Sequence, residues 1–434
     1  MLRFIRIIIL VGLLFGAFTT IRAQAAEPRI DVLTVKGAIN PVLVEYIGKG
    51  IEQAEDEEAI AVIIQLDTPG GLDTAMRDII QEIVNSRIPV VVYVSPSGAR
   101  SASAGVFITM AAHVAVMAPN TAIGAAHPVS ISAEGEEGMS EDMEEKVVND
   151  AAAYIRSIAE AHGRNMEWAE KAVRESVSAT DKEALELNII DMVAPDLETL
   201  VTQLDNRTVV LLGDREATLQ TRGAVINHVK MSWTEGLLYT IADPNIAYLL
   251  LSLAMLGIMV EIFNPGLIFP GVVGGISLLL AFFSLGVLPV NYAGVLLIVL
   301  AFGLFVAEVL TVTFGLFTAG GVIALVIGSL ILFKGASPVF QIDPWLIATV
   351  TIIIAGLFAI VINRAISAHH KQAKTGREEL ISKTALVREV LAPEGTVFYK
   401  GELWSANSSA GRIESGEEVI ITKVDGLILH VTKK

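Results

Sequence analysis

The sequence predicts three structural parts in order: an α/β domain, an all-α transmembrane bundle and a small all-β barrel. Near the amino terminus, β-branched apolar runs alternate with amphipathic helical patterns. Residues 244–363 are almost continuously apolar, and residues 376–434 contain short β-rich runs separated by glycine. Alternating strands and helices are typical of a mainly parallel sheet covered by helices, whereas a long apolar block is typical of membrane spans.

The composition excludes several classes of function. The 434 residues are 53% hydrophobic, which exceeds the usual range of soluble proteins. A net charge of -16 without a basic patch argues against a nucleic-acid partner. Because the chain has no cysteine, it has no disulfide, thiol nucleophile or cysteine metal site. We expect neither a metal nor a cofactor.

Residues 1–26 have the pattern of a signal peptide. Two arginines precede an apolar run, and Ala23-Gln24-Ala25 supplies the small residues of a cleavage site. An uncleaved anchor helix is the alternative, since Arg22 lies close to that site. Either interpretation places the next domain outside the cytoplasm.

The α/β domain is predicted over residues 27–195. The run "IAVIIQLDTPGG" is typical of a buried strand that ends in a glycine corner, and "IPVVVYVSP" of a second buried strand. Sites in parallel sheets lie at the carboxyl ends of the strands, so the loops after these runs are the candidates. Residues 196–243 have a mixed strand signal and are predicted to be a connector.

Five apolar segments predict about five membrane spans, with four as the alternative. They cover residues 246–263, 272–288, 293–310, 320–333 and 345–362. Basic residues follow the last segment, and the positive-inside rule places that flank in the cytoplasm. An odd number of spans then keeps the α/β domain outside.

An approximate repeat runs through this block. The segment "EIFNPGLIFPGVVGGI" is echoed by "EVLTVTFGLFTAGGVI", so that Glu261 corresponds to Glu308. Such repeats occur at transporter substrate sites, and carboxylates within a membrane are functional candidates. Helix packing through glycine explains the repeat more simply and is the favoured interpretation.

The last segment, residues 376–434, predicts a barrel of the OB type. Its glycines divide five short β-rich runs, as a small five-stranded barrel requires. OB barrels that bind single strands combine basic grooves with aromatic platforms, but here aromatics are few and acidic residues are interspersed. A protein-binding or structural module is therefore favoured.

Several motifs now point to a family. "LDTPGG", "SASAGVFITMAAHVAVMAPNTAIGAAHPV" and "ESVSATDKEALELNIID" stand in the order and spacing of the long-form NfeD membrane-bound serine proteases. The resemblance covers essentially the whole chain. It implies a first domain similar to ClpP and signal peptide peptidase A, with a sheet of the crotonase type, and an NfeD barrel at the carboxyl end.

The resemblance also implies a nucleophile and an oxyanion site. Ser103, followed by Ala104 and Gly105, matches the family's nucleophile, with Ser101, Ser97 and Ser95 as alternatives. The backbone N–H of Ala104 at a helix start can face developing negative charge.

The "PGG" corner, Gly70 and Gly71, is implied to supply the second oxyanion donor and to bind the substrate backbone. Residues without a side chain permit unusual dihedrals and a close backbone approach at such a corner.

Two residues compete for the role of base. The resemblance points to Lys146, which must lose its proton, so its acidic neighbours must point outwards: Glu141, Asp142, Glu144 and Glu145. His127 is the alternative, at about the ClpP interval after Ser103.

The histidine triad also needs a carboxylate, yet Arg174 stands where the ClpP pattern has aspartate. The Ser103 and Lys146 dyad is therefore favoured, with His127 expected to line the cleft. His113, which opens a strand, is predicted to be structural.

The resemblance thus implies a membrane-anchored serine endopeptidase that cuts apolar peptide segments, with a stomatin- or flotillin-like (SPFH) partner and self-association. It implies a multi-pass protein of the plasma or inner membrane, with an extracytoplasmic protease domain and a cytoplasmic barrel. The alternative is a membrane scaffold for such assemblies with little or no peptidase activity. Replacing Ser103 by alanine would separate the two.

Overall fold

The computed structural model describes residues 28–128, 141–311, 315–333, 338–370 and 377–434. The predicted signal peptide lies outside the described residues. The strands of the first domain are β1 (Arg29–Lys36), β2 (Ala61–Asp67), β3 (Val90–Val94), β4 (Arg100–Ala102), β5 (Val114–Met117), β6 (Ala122–Gly124), β7 (Ser178–Thr180), β8 (Met192–Val193), β9 (Thr208–Leu211), β10 (Arg215–Thr218) and β11 (Val225–Val229). Its helices are α1 (Pro41–Asp56), α2 (Asp73–Asn85), α3 (Ala104–Ala111), α4 (Glu141–Ala161), α5 (Met166–Arg174), α6 (Asp181–Glu186), α7 (Leu197–Leu204) and α8 (Trp233–Ile241).

A six-stranded sheet forms the centre of the α/β domain. Its order is β11-β1-β2-β3-β5-β8, and every neighbouring pair is parallel. Leu33 and Ile64 face a core shared with α1 and α2, while Val32 and Ile63 face a second core beneath α7 and the β9–β10 hairpin. Because both faces are buried, the strands are continuous apolar runs in the sequence.

A three-stranded sheet carries the segment that leads to Ser103. Its order is β4-β6-β7, and a bridge between Thr68 and Ser101 joins β4 to the segment that follows β2. Helix α3 starts directly after β4, so the end of β2 and the start of α3 are neighbours.

The structure corrects the predicted boundary at residue 195. Strand β11 is the edge strand beside β1, and the hairpin of β9 and β10 covers one face of the sheet. Residues 196–243 therefore belong largely to the α/β domain and are not merely a connector. The sequence pattern missed this because β11 is short and pairs with a strand almost 200 residues earlier.

Five apolar helices follow: α9 (Pro244–Phe263), α10 (Ile268–Val287), α11 (Tyr292–Thr311), α12 (Leu316–Ile331) and α13 (Pro344–His370). Among the described residues, four of them are long and apolar enough to cross a membrane. The 16 residues of α12 reach only about 24 Å, less than a hydrocarbon core of about 30 Å. The length and composition of the described helices thus give four candidate spans, and the fourth predicted segment, residues 320–333, lies largely in the shorter helix α12.

Glycine allows two pairs of these helices to approach closely. A Cβ on Gly257 of α9 would lie 2.8 Å from the Cα of Gly274 in α10. A Cβ on Gly294 of α11 would lie 2.9 Å from the carbonyl oxygen of Gly328 in α12. Backbones this close require small residues, which supports the packing interpretation of the repeat.

The two repeat carboxylates lie beside the start of the following helix. Glu308 accepts hydrogen bonds from the backbone N–H of Gly315 at 2.9 Å and of Phe317 at 3.0 Å. Glu261 Oε1 lies 3.5 Å from the N–H of Gly266. A carboxylate at a helix amino terminus is stabilising, so both residues have a structural role in these connections.

The carboxyl-terminal segment forms a closed five-stranded barrel, as predicted. Its order is β12-β13-β14-β16-β15, and its interior contains Val387, Val397 and Leu429. The strands are β12 (Thr384–Glu389), β13 (Glu394–Tyr399), β14 (Glu402–Ser408), β15 (Glu418–Asp425) and β16 (Ile428–Lys433).

Candidate active site

The glycine corner at the end of β2 has no room for side chains. Gly70 has φ 117°, and a Cβ there would lie 2.7 Å from the Cβ of Ser103. A Cβ on Gly71 would lie 2.2 Å from the carbonyl oxygen of Ile39. The corner therefore brings bare backbone against Ser103.

Ser103 occupies a strained position at the start of α3. Its φ of 52° and ψ of -115° fall outside the usual regions for a residue with a side chain. Strain of this kind costs on the order of 1–3 kcal/mol and is concentrated at functional sites. The hydroxyl makes no capping bond to the helix, so it is available for chemistry.

One cavity of about 450 Å³ brings the predicted nucleophile and base together. Ser103 and Lys146 both line it, together with Gly71 and Ala104. Much of the remaining wall is apolar and consists of Leu72, Met76, Phe107, Ala126, Pro128, Val147, Ala151 and Phe340. An apolar side chain of a peptide fits such a wall.

Two backbone N–H groups at the cavity are available as oxyanion donors. Neither Ala104 nor Gly71 donates its N–H to an acceptor among the described residues. Ile39 donates its N–H to the carbonyl oxygen of Gly70, and its own carbonyl oxygen accepts from the N–H of Leu72. In a parallel bridge of this kind, the N–H and C=O groups of Gly71 point away from Ile39. The N–H of Gly70 donates to Thr68 Oγ1 at 3.0 Å, so at this corner the N–H of Gly71, and not that of Gly70, has no acceptor among the described residues.

Lys146 lies near the start of α4 with its side chain exposed. It makes no ion pair with any described residue. Asp142, Glu144 and Glu145 are also exposed, as a lysine base requires. The side chain of Glu141 lies outside the described part of the chain.

Arg77 connects α4 to α2 beside the cavity. Its guanidinium donates to Asp73 at 2.8 Å and to Asp150 at 2.6 Å, and it lies 4.5 Å from the ring centre of Tyr154. Burial disfavours its charge, but hydrogen bonds and attraction to the two carboxylates outweigh this and raise the pKa of Arg77. Because Asp150 follows Lys146 by one helical turn, this bridge holds the helix segment that carries the lysine.

His127 is not among the residues that line the cavity, although its neighbours Ala126 and Pro128 are. Its Nδ1 lies 2.8 Å from the carbonyl oxygen of Val173 and donates to it. The partner of His127 Nδ1 is therefore a backbone carbonyl, whereas a catalytic triad needs a carboxylate at this position. Arg174, at the position of the expected aspartate, pairs with Glu170 at 2.7 Å.

The alternative serines are placed less favourably. Ser101 is fully buried, and its hydroxyl is 2.8 Å from that of Thr109. Ser97 accepts from the side chain of Asn120 at 3.2 Å, and Ser95 is buried. None of these three lines the cavity that contains Lys146.

His113 belongs to a buried polar cluster at the amino ends of the strands. Its ring packs edge-on against His162, and nearby Arg164 is paired with Asp191 at 2.7 Å. Burial and the positive charge of Arg164 lower the pKa of each histidine to about 4. The groups lie away from the catalytic edge, in agreement with a structural role for His113.

Among the cavity residues that sequence reasoning did not single out are Arg77, Asp150 and Phe340. A signal existed for Asp150, which lies four residues after Lys146 and so on the same helix face. Phe340 follows the short apolar helix α12, and nothing local in the sequence indicates that it reaches this cavity.

A strained serine at a helix start, two free backbone donors and a lysine in one cavity define the class: a serine protease, here attached to apolar membrane helices. The comparisons with known proteins agree. Three family models match the chain: NfeD1b, N-terminal domain (29–203), NfeD integral membrane domain (245–364) and NfeD-like C-terminal, partner-binding domain (377–433).

Two full-length relatives match almost end to end. The membrane-bound protease PH1510 of Pyrococcus horikoshii is 39% identical over 417 residues, which cover 94% of both chains. Membrane protein NfeD1b of Bacillus subtilis is 26% identical over 437 residues, 94% of this chain and 93% of the relative. The chain belongs to the NfeD family and is an integral membrane protein.

A solved structure covers the first domain. The 1510-N membrane protease specific for a stomatin homolog from Pyrococcus horikoshii is 33% identical to this chain. The match covers 50% of this chain and 100% of the chain in that structure, with a TM-score of 0.44. A ClpP1 mutant from Listeria monocytogenes is 24% identical, covers 39% of this chain and 94% of its own, and has a TM-score of 0.32.

Proposed function

We propose that Ser103 and Lys146 form a catalytic dyad that hydrolyses apolar peptide segments. The observation that carries the proposal is that both residues line one largely apolar cavity, with Ser103 held in a strained conformation at the start of α3. Strain of this kind is otherwise hard to explain in a buried helix start.

The reaction follows from the placement of these groups. The neutral amine of Lys146 removes the proton of Ser103 Oγ as the oxygen attacks the scissile carbonyl carbon. The carbonyl oxygen becomes an oxyanion, and the N–H groups of Ala104 and Gly71 stabilise it. The lysine then gives its proton to the leaving amine, and an acyl-enzyme remains.

Hydrolysis of the acyl-enzyme reverses the roles. Lys146 takes a proton from water as the water oxygen attacks the ester carbon, and the same two donors stabilise the second oxyanion. The proton returns to Ser103 Oγ, and the peptide acid leaves.

Substrate binding removes water from Lys146, which the open cavity of the free protein does not do. The ammonium group of Lys146 is exposed in the free protein, but a peptide lying over Ser103 covers it. Removal of water disfavours a charged amine, so the bound substrate favours the neutral base.

The partner is proposed to be a stomatin- or flotillin-like membrane protein. The family resemblance suggests it, and the description of the matching carboxyl-terminal domain model as partner-binding supports it. We place the protease domain outside the cytoplasm and the barrel inside, following the basic residues after α13. This placement requires the short helix α12 to cross the membrane as well, because only an odd number of spans separates the two domains.

The test is cleavage of an apolar peptide library by the full-length protein in lipid. We expect Ser103→Ala and Lys146→Ala to reduce kcat at least a thousandfold, and His127→Ala and Ser97→Ala to leave cleavage near the wild-type rate. Loss in His127→Ala with survival in Lys146→Ala would establish a triad instead. Silence of every variant and of the wild type, with the fold intact, would favour the scaffold.

A further inference from the structure

A segment of the membrane block reaches the catalytic cavity. The short 3-10 helix Pro338–Phe340 lies between α12 and α13. Phe340 is only 2% exposed and lines the same cavity as Ser103 and Lys146. The cavity is therefore formed by two distant parts of the chain.

Two observations place this segment beside the start of α9. Val339 lines a second cavity, which Tyr239 and Pro244 also line at the junction of α8 and α9. The backbone N–H of Asp343 donates to the side chain of Asn245 at 2.8 Å. This hydrogen bond ties the chain three residues after Phe340 to α9.

The same contacts locate the cavity relative to the membrane. Helices α9 and α13, both candidate spans, begin at Pro244 and Pro344. Four residues of chain extend at most about 14 Å, so Phe340 lies within that distance of the start of α13. The apolar cavity is therefore close to the boundary of the bilayer.

We propose that Phe340 forms one wall of the subsite that receives an apolar side chain of the substrate, so that the membrane block determines part of the specificity. The substrate class is an apolar peptide segment presented at the membrane surface. About 450 Å³ remains open beside Phe340, which is why the ring acts as a wall and does not fill the site. This inference rests on the proposed peptide hydrolysis.

The first experiment measures preference. Full-length protein in nanodiscs is given two peptides that differ only by leucine or alanine beside the cleaved bond. We expect Phe340→Ala to lower the leucine-to-alanine ratio of kcat/KM about tenfold and Phe340→Leu to have a smaller effect. The matched control is Phe269→Ala in α10, whose ring is 79% exposed and does not line the cavity, and it should leave the ratio unchanged. An unchanged ratio in Phe340→Ala would overturn the proposal, and so would faster cleavage of both peptides, because the ring would then obstruct the cavity.

The second experiment is independent of the chemistry. In a Ser103→Ala background, a fluorescein-labelled form of the leucine peptide is titrated, and we expect Phe340→Ala to weaken its binding about tenfold. If the wild type fails to cleave but this difference is present, the dyad is wrong and the wall stands. If the wild type cleaves the peptide but Phe340→Ala does not change its binding affinity, the proposed subsite wall is wrong and the proposed dyad is retained. A thermal unfolding scan of Phe340→Leu, which keeps an apolar side chain, separates a folding defect from a lost subsite.

Discussion

Arg77 Nη2 lies 2.6 Å from Asp150 Oδ2, and this pair connects α2 to the helix that carries the proposed base. The exposed carboxylate is one turn beyond Lys146. An exposed ion pair contributes only about 0–1 kcal/mol to stability, so its main effect here is to position α4.

The Arg77→Gln variant tests this positioning role. We expect kcat to fall about tenfold with little change in KM, because a small misplacement of Lys146 slows proton transfer without removing the binding wall. Asp150→Asn should have a similar effect, and the double variant should be no worse than either. Arg156→Gln, which breaks an ion pair on the same helix, is the control. A large fall in unfolding temperature with unchanged kcat in the folded fraction would contradict the role.

A side chain at Gly70 would displace the nucleophile. We expect Gly70→Ala to lower kcat on the order of a hundredfold, because its Cβ would lie 2.7 Å from the Cβ of Ser103. Gly98→Ala is a matched control, since Gly98 also has a positive φ of 89° but no atom within 4 Å of an added Cβ. Equal losses in the two variants would show that backbone strain, and not the clash, is responsible.

The buried histidines predict a loss of stability in acid. His113 and His162 have pKa values of about 4 in the folded protein, below the ordinary histidine value of 6.5. The unfolded chain therefore binds protons that the folded chain does not, and stability falls as the pH drops from about 6.5 towards 4. The loss for each histidine is up to about 3 kcal/mol.

Unfolding temperatures of the full-length protein in detergent check this dependence. We expect a fall between neutral pH and about pH 5, and a smaller fall in His113→Gln, whose side chain keeps an acceptor for the N–H of Val90. The exposed His228→Gln is the control and should follow the wild type. An identical acid dependence in His113→Gln would refute the assignment.

The absence of cysteine makes membrane orientation directly measurable. We expect a cysteine replacing Glu216, in the β9–β10 hairpin, to react with an impermeant maleimide in intact cells. A cysteine replacing Glu402, in the barrel, should react only after lysis. Labelling of both in intact cells would place the two domains on one side and would agree with an even number of spans.

An apolar patch on the barrel is the place to test partner binding. Leu403 and Leu427 are 66% and 76% exposed, and the pairing of Ser405 with Ile428 puts them at the same end of β14 and β16. We expect Leu427→Asp to abolish co-purification of a stomatin-like partner without unfolding the barrel, and Glu414→Gln, an exposed change, to have no effect. Undiminished capture by Leu427→Asp would exclude this patch.

Local patterns in the sequence were enough for much of this protein. Continuous apolar runs predict the buried strands, because both faces of the sheet are covered, and the apolar block predicts the membrane helices. The identities of Ser103, Gly70 and Gly71 follow from motifs whose residues are adjacent in the chain. These features depend on short-range geometry, which a sequence displays directly.

Other features were decided by the tertiary structure. Strand β11 joins β1 across almost 200 residues, Arg77 meets Asp150 across 73, and Phe340 reaches the cavity of Ser103 from beyond four apolar helices. The sequence offers both His127 and Lys146 as candidate bases for Ser103, but only Lys146 lines the cavity that contains Ser103. By itself the sequence determined the three parts of the chain, since these depend on local periodicity, and its family resemblance pointed to Ser103 as the candidate nucleophile. The tertiary structure decided that Lys146 and Phe340, and not His127, line the cavity of Ser103, because long-range packing sets the directions of side chains.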